Sequence, residues 1–116
     1  MRELKFRAWD TGAKRWTSGV MPVLTGLSLE LNPAHSGIII EQYTGLKDKN
    51  GKEICEGDIV QCGAYKGKVH YSVGVACYCV GDYTPIYQIS RIENESFITL
   101  KVIGNIHENP ELLKEK

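Results

Sequence analysis

Leu4, Phe6 and Ala8 alternate with Lys5, Arg7 and Trp9, the period of two of a strand that lays one face on a core. Asp10-Thr11-Gly12 turns the chain, and Arg15-Trp16-Thr17 returns antiparallel, so residues 2 to 18 are expected to form a hairpin with Trp9 and Trp16 on a shared face. From 19 to 36 the periodicity is mixed and broken by Pro22, Gly26 and Pro33, which reads as irregular strand followed by a turn or loop at Asn32-Pro33, with His35 a solvated loop residue. Ile38-Ile39-Ile40 then opens a strand expected to be buried as far as Tyr43. Asn50-Gly51 predicts a two-residue hairpin turn with positive φ at both positions, at the tip of a solvated loop from Lys47 to Glu53. Gly57-Asp58 predicts a second turn, in which the carboxylate caps backbone N–H groups.

From Gly57 onward short apolar runs alternate with tight turns. Gly57-Asp58-Ile59-Val60, Gly67-Lys68-Val69-His70-Tyr71, Val73 to Val80, Tyr87-Gln88-Ile89 and Phe97 to Ile103 are expected strands. A Gly-Asp-x-Val start followed by a Gly-x-Val strand looks weakly like the SH3-like barrels. Asn109 is a good N-cap with Pro110 at the first helical position, so Pro110 to Glu115 is an expected short helix. The fold expected is all-β, or β-rich α+β at most: a small, partly open SH3-like barrel with an N-terminal hairpin and a short C-terminal helix. Residues 1–116 read as one domain, with 1–36 the hairpin and irregular strand region and 37–116 the barrel-like core.

Composition narrows the function. Fourteen basic and fourteen acidic residues cancel, so there is no global field to attract nucleic acid or an anionic membrane. The longest nearly apolar run, Val73 to Val80, is too short to span a bilayer as a helix, and the first seven residues lack the apolar core of a signal peptide. These features point to a cytoplasmic protein with no membrane partner. In that compartment Cys55, Cys62, Cys77 and Cys79 are free thiols. Cys77-Tyr78-Cys79 lacks the knuckle spacing of a zinc site, so no metal is expected. A cysteine nucleophile would need His70 or His107 as its base, and sequence places neither beside a thiol. No phosphate loop, dinucleotide fingerprint or hydrolase elbow is present, so neither a cofactor nor a catalytic residue is expected.

The candidate binding residues are Arg7, Trp9 and Trp16 on the first hairpin, where basic residues also concentrate, and Lys66, Lys68 and Tyr71 on a later strand. Asn50, Gly51, Gly57, Asp58, Gly104 and Pro110 are assigned to structural turns. The stretch Gln42 to Val60, together with Ile103-Gly104-Asn105-Ile106 and Glu108-Asn109-Pro110-Glu111-Leu112-Leu113, closely resembles the YopX family of phage and prophage proteins. The resemblance also covers the first ten residues. It implies a phage or prophage origin, an all-β barrel-type fold and assembly into oligomers, and it supplies no catalytic residue. Family members often carry an aromatic residue where this chain has Cys55, which argues against a family-wide role for that thiol. The function expected is a non-enzymatic phage accessory protein in the bacterial host, an oligomeric interaction module with a phage or host protein as further partner. The alternatives are a weak nucleic-acid binder using a basic and aromatic face, which the balanced charge does not favour, and a cysteine-dependent enzyme.

Overall fold

The computed structural model describes residues 5–17, 23–25, 28–30, 37–82, 84–94 and 96–113. Most of the irregular region 19–36, with His35, and the end of the expected C-terminal helix at 114–115 lie outside them. The first hairpin is β1 (Phe6–Asp10) and β2 (Arg15–Thr17), with Trp9 directly opposite Trp16. Asp10 shapes its turn by accepting the Gly12 and Ala13 N–H groups on Oδ1. A two-stranded ribbon, β3 (Val23–Thr25) and β4 (Ser28–Glu30), follows.

The ten-residue β5 (Ile38–Lys47) organises the first sheet. Its first half pairs with β1 along the whole of β1, placing Arg7 opposite Glu41 and Trp9 opposite Ile39. Its second half pairs with β6 (Glu53–Cys55) and, in parallel, with β12 (Ser96–Phe97), beyond which lies β11 (Ile92–Glu93). The second sheet runs β10 (Thr84–Pro85), β9 (Cys77–Val80), β8 (Tyr65–Ser72), β7 (Asp58–Cys62) and β13 (Lys101–Asn105). The β-rich class expected from the pattern is therefore the one found, with the sheets not closed into a barrel. Because β1 is zipped to β5, the N-terminal hairpin is part of the main sheet and not an appendage.

The core collects Ile54, Val60, Val69, Val80, Ile86, Phe97, Leu100 and Val102. These come from strands distant in sequence, so the hydrophobic effect operates here mainly between segments. Among the described residues no helix is long and apolar enough to cross a membrane.

Local expectations are corrected in several places. Asn50 does not take positive φ; only Gly51 does, at 83°. The loop is one residue wider than a two-residue turn, closed by Gly51 N–H to Asp48 O and Asp48 N–H to Lys52 O. Nor is the loop wholly solvated: Asp48 is buried and accepts the N–H groups of Asn50, Lys52 and Val102. Ile38, Ile39 and Ile40 are half-buried to exposed, and the buried positions of β5 are Glu41 and Thr44. Tyr87-Gln88-Ile89 belongs to a helical turn, α1 (Ile86–Ile89), entered from Pro85 and anchored by buried Ile86. Residues 73–76 form the turn between β8 and β9, not a strand. The apolar run after Phe97 breaks before β13, and a register shift between Val102 and Gly104 bends that strand. Pro110–Leu113 is a 3₁₀ turn. The Asn109 carboxamide reaches back to Asn105 N–H, where a Cβ on Gly104 would collide with it.

Candidate functional site

The sequence-selected residues fall into two groups. Arg7, Trp9 and Trp16 meet in one polar and aromatic cluster, whereas Lys66, Lys68 and Tyr71 lie on β8 and make none of its contacts. In the cluster, register brings Arg7 opposite Glu41, and the guanidinium completes three bonds: Nε to Glu41 Oε1 at 3.1 Å, Nη1 to Asp58 Oδ1 at 2.8 Å and Nη2 to the Glu56 carbonyl at 3.0 Å. Its face lies over the Trp16 ring, 4.4 Å from the centroid. Trp9 packs edge-on to Trp16 at 4.9 Å and stacks on His107 at 5.1 Å and 15°. His107 Nε2 sits 3.1 Å from the second Glu41 oxygen. Trp16 Nε1 donates to Glu108, which also takes a bond from the Asn105 side chain.

A glycine lets these charges converge. Gly57 has φ of 85°, and a Cβ there would collide with the Glu41 carboxylate. Its N–H donates to Val69 O and its carbonyl accepts from Ile106 N–H, which ties the second sheet and the C-terminal segment to the cluster. Asp58 accepts Cys55 N–H on the oxygen that does not face Arg7. The carboxylate thus caps the Cys55–Asp58 turn and also pairs with Arg7.

Burial sets the electrostatics. It opposes the charge on Arg7, but Asp58 and Glu41 help outweigh it and hold the guanidinium pKa above its ordinary value. Burial pushes the Asp58 carboxyl up, against the pull of Arg7 and the Cys55 N–H. It pushes the Cys55 thiol up to about 12, with Arg7 offsetting the effect and Asp58 and Glu41 adding to it. Glu108, at the surface, is held below the usual carboxylate range by bonds from Asn105 and Trp16. Among the described residues every buried side-chain nitrogen and oxygen has a hydrogen-bond partner. The charges of the cluster are thus paired with one another, and the fully buried Cys55 sits where burial disfavours its thiolate form.

On β8, Lys66 and Tyr71 are exposed and Lys68 is half-buried. Lys68 and Tyr71, with His70 and Asp82, line an open cavity of about 800 Å³ that the turn 73–76 borders. His70 Nε2 lies within 2.9 Å of two carbonyls, Gly81 O and Asp82 O, so it carries the proton and donates to both. Among the described residues no His, Cys, Asp or Glu grouping of three or more is arranged to hold a metal ion, and all four cysteines are free.

A family model described as YopX protein matches residues 5–114. The chain belongs to the YopX family. Two solved structures are similar over nearly the whole chain. The crystal structure of protein EF1440 from Enterococcus faecalis is 30% identical, with a TM-score of 0.70, covering 98% of this chain and 100% of that one. Protein yopX from Bacillus subtilis is 16% identical at a TM-score of 0.56, with the same coverage, a likeness of fold alone. No curated protein matches. In this YopX-family chain the three motif stretches read from sequence converge on the Arg7 cluster: Gln42–Val60 supplies Asp58 and Gly57, Ile103–Ile106 supplies Asn105, and Glu108 opens the third. Sequence reading missed Glu41, Glu56 and His107 as partners of Arg7 and Trp9. A usable signal was present for Glu41, the one acidic residue following three isoleucines on a strand otherwise apolar at that end.

Proposed function

We propose that this YopX-family chain is a non-enzymatic interaction module that assembles with further copies of itself, an accessory protein of a phage or prophage acting in the cytoplasm of the bacterial host. The observation that carries the reading is an open groove lined by exposed Tyr87 and Ile98, beside the end strand of the first sheet. Tyr87 of α1 is 57% exposed, and Ile92 of β11 and Ile98 stand at about 40%. Tyr87 and Ile98 line an open groove of about 600 Å³ with Ile89, Arg91 and Thr99. Strand β11 (Ile92–Glu93) ends that sheet among the described residues, and its outer backbone edge is where a strand of a second copy would add. The internally paired charges of the Arg7 cluster and the buried Cys55 thiol support the non-enzymatic part, and family membership supports the phage setting. The nucleic-acid reading has less in its favour, because Asp82 shares the cavity with Lys68 and the chain carries no net positive charge.

Light scattering over a concentration series tests the reading. The parent is expected to show a mass of several chains, and Ile98→Glu to fall toward one chain while melting like the parent. A parent that stays at one chain up to high micromolar concentration would overturn it.

A further inference from the structure

Cys77 and Cys79 stand two residues apart on β9, so the pleat turns both thiols to one face of the second sheet. Ser72 is opposite Cys77 and His70 opposite Cys79. The other face of the hairpin carries Tyr78 against Tyr71 and sends Val69 and Val80 into the core. Cys79 is wholly buried and Cys77 half-buried. Cys79 Sγ donates to the Cys77 carbonyl at 3.8 Å. Burial first, then the charge of Cys77 and a hydrogen bond with its side chain, push the Cys79 thiol up. Cys55 and Cys62, by contrast, are each alone on their strands.

We propose that Cys77 and Cys79 are a redox modification site, closed into a reversible disulfide by exchange with a low-molecular-weight disulfide such as oxidised glutathione. Exposure sets the order of events. Cys77, the more accessible of the two, attacks as its thiolate; one sulfur of the small disulfide becomes bonded to Cys77 and the other leaves as a thiolate that takes up a proton. Cys79 then gives up its proton, attacks the Cys77 sulfur and expels the second small thiol. Two protein thiols and one small disulfide thus become one protein disulfide and two small thiols. Geometry makes the bond labile. Residues two apart on a regular strand stand ~6.6 Å apart, at the long end of the Cα separation a disulfide spans, and their parallel side chains hold the Cβ atoms farther apart than the ~3.8 Å it prefers. The start of β9 must bend to close it. Ser72 and Cys77 are the last pair of the β8–β9 ladder, the turn 73–76 beyond them is exposed, and Ala76 already has left-handed backbone at φ of 55°. Bending is therefore confined to a hairpin end that carries no core residue. A bond closed under strain has a higher reduction potential than a structural disulfide, as regulatory ones do, so it opens again in a reducing compartment. Closure also draws on the turn 73–76, and with it the wall of the cavity that Val73, Gly74 and Val75 line with Lys68.

Treatment of the folded full chain with oxidised glutathione, followed by alkylation in denaturant and mass measurement, tests the proposal. The parent is expected to lose two hydrogens, to keep Cys55 and Cys62 open to alkylation, and to regain all its thiols in excess dithiothreitol. Cys79→Ser should stop at the mixed disulfide, carrying one glutathione on Cys77, and Cys77→Ser should form neither product. Amide hydrogen exchange in the turn 73–76 is expected to change on oxidation of the parent, a readout that needs no variant to fold. A parent whose four thiols all remain open to alkylation, or whose bridge joins other cysteines or two chains, would overturn the proposal. So would loss of two hydrogens by Cys77→Ser. The Ile98→Glu variant is expected to form the bond like the parent, so the outcome is separable from that of the assembly reading.

Discussion

Two ion pairs at the start of the chain, two residues apart, show how much placement decides. Lys5 and Glu53 meet at 2.7 Å with both side chains close to half exposed, while Arg7 and Asp58 meet at 2.8 Å with 15% and 3% exposure. The distances are nearly equal and the energetics are not. Water screens the first pair, and two long side chains lose freedom to make it, so its contribution is at most ~1 kcal/mol. The second is part of a buried network in which removing one charge strands two others. A contact list alone would rank them together; burial separates the frame of the molecule from its decoration.

The sharpest way to break that contrast is Arg7→Met. It leaves Glu41 and Asp58 buried without their common partner, and a loss of about 3–5 kcal/mol is expected in urea unfolding. A loss under 1 kcal/mol would show that the cluster reorganises freely and is no frame. Next comes Gly57→Ala, where the left-handed backbone costs about 1–2 kcal/mol and the added methyl must also displace the Glu41 carboxylate. Gly51→Ala sharpens this result, since Gly51 has φ of 83° but open space around it. It should cost only the backbone share, about 1 kcal/mol. If the two glycine variants melt alike, the crowding at Glu41 carries no energy.

Cys55 offers a pH test of the same burial. Its native thiol holds a proton up to about pH 12, against an ordinary value of 9.0, so between those limits the folded state binds more protons than the unfolded chain. Stability then falls as pH rises through that window, by up to about 1.4 kcal/mol per pH unit, and the contribution is fully present below it. Comparing parent and Cys55→Ala across pH 8.5 to 11 isolates this slope from that of lysines and tyrosines. Equal slopes would mean that the thiol is accessible to solvent. The smallest effect is reserved for Lys5→Ala, within about 0.5 kcal/mol of the parent and further reduced by salt. A larger loss there would erase the contrast between the two pairs.

Much of the fold was legible, and for local reasons. The first hairpin follows from alternation closed by Asp10-Thr11-Gly12. The β-rich class follows from short apolar runs set between glycines, and family membership from three stretches that the structure brings to one place. Tyr87-Gln88-Ile89 misled because three residues cannot display a period, and Pro85 started a helical turn that Ile86 could anchor in the core. The turn at Asn50 misled because Asn-Gly favours a tight reversal, while Asp48, two residues earlier, collects the N–H groups of a wider one.

By itself the sequence determined what neighbours can specify: where strands begin and turn, that charge is balanced, which family the motifs belong to, and which residue types were available for a site. Only the tertiary structure decided which of them became frame and which became surface. Glu41 reaches Arg7 across 34 positions of chain, Asp58 across 51, and Asp48 reaches Val102 across 54. A carboxylate on a strand looks the same in sequence whether it faces water or an arginine. Its role is fixed by sheet register and burial, which are set by the whole chain packing at once, and these made Trp9 and Arg7 interior while leaving Val73 and Tyr87 outside.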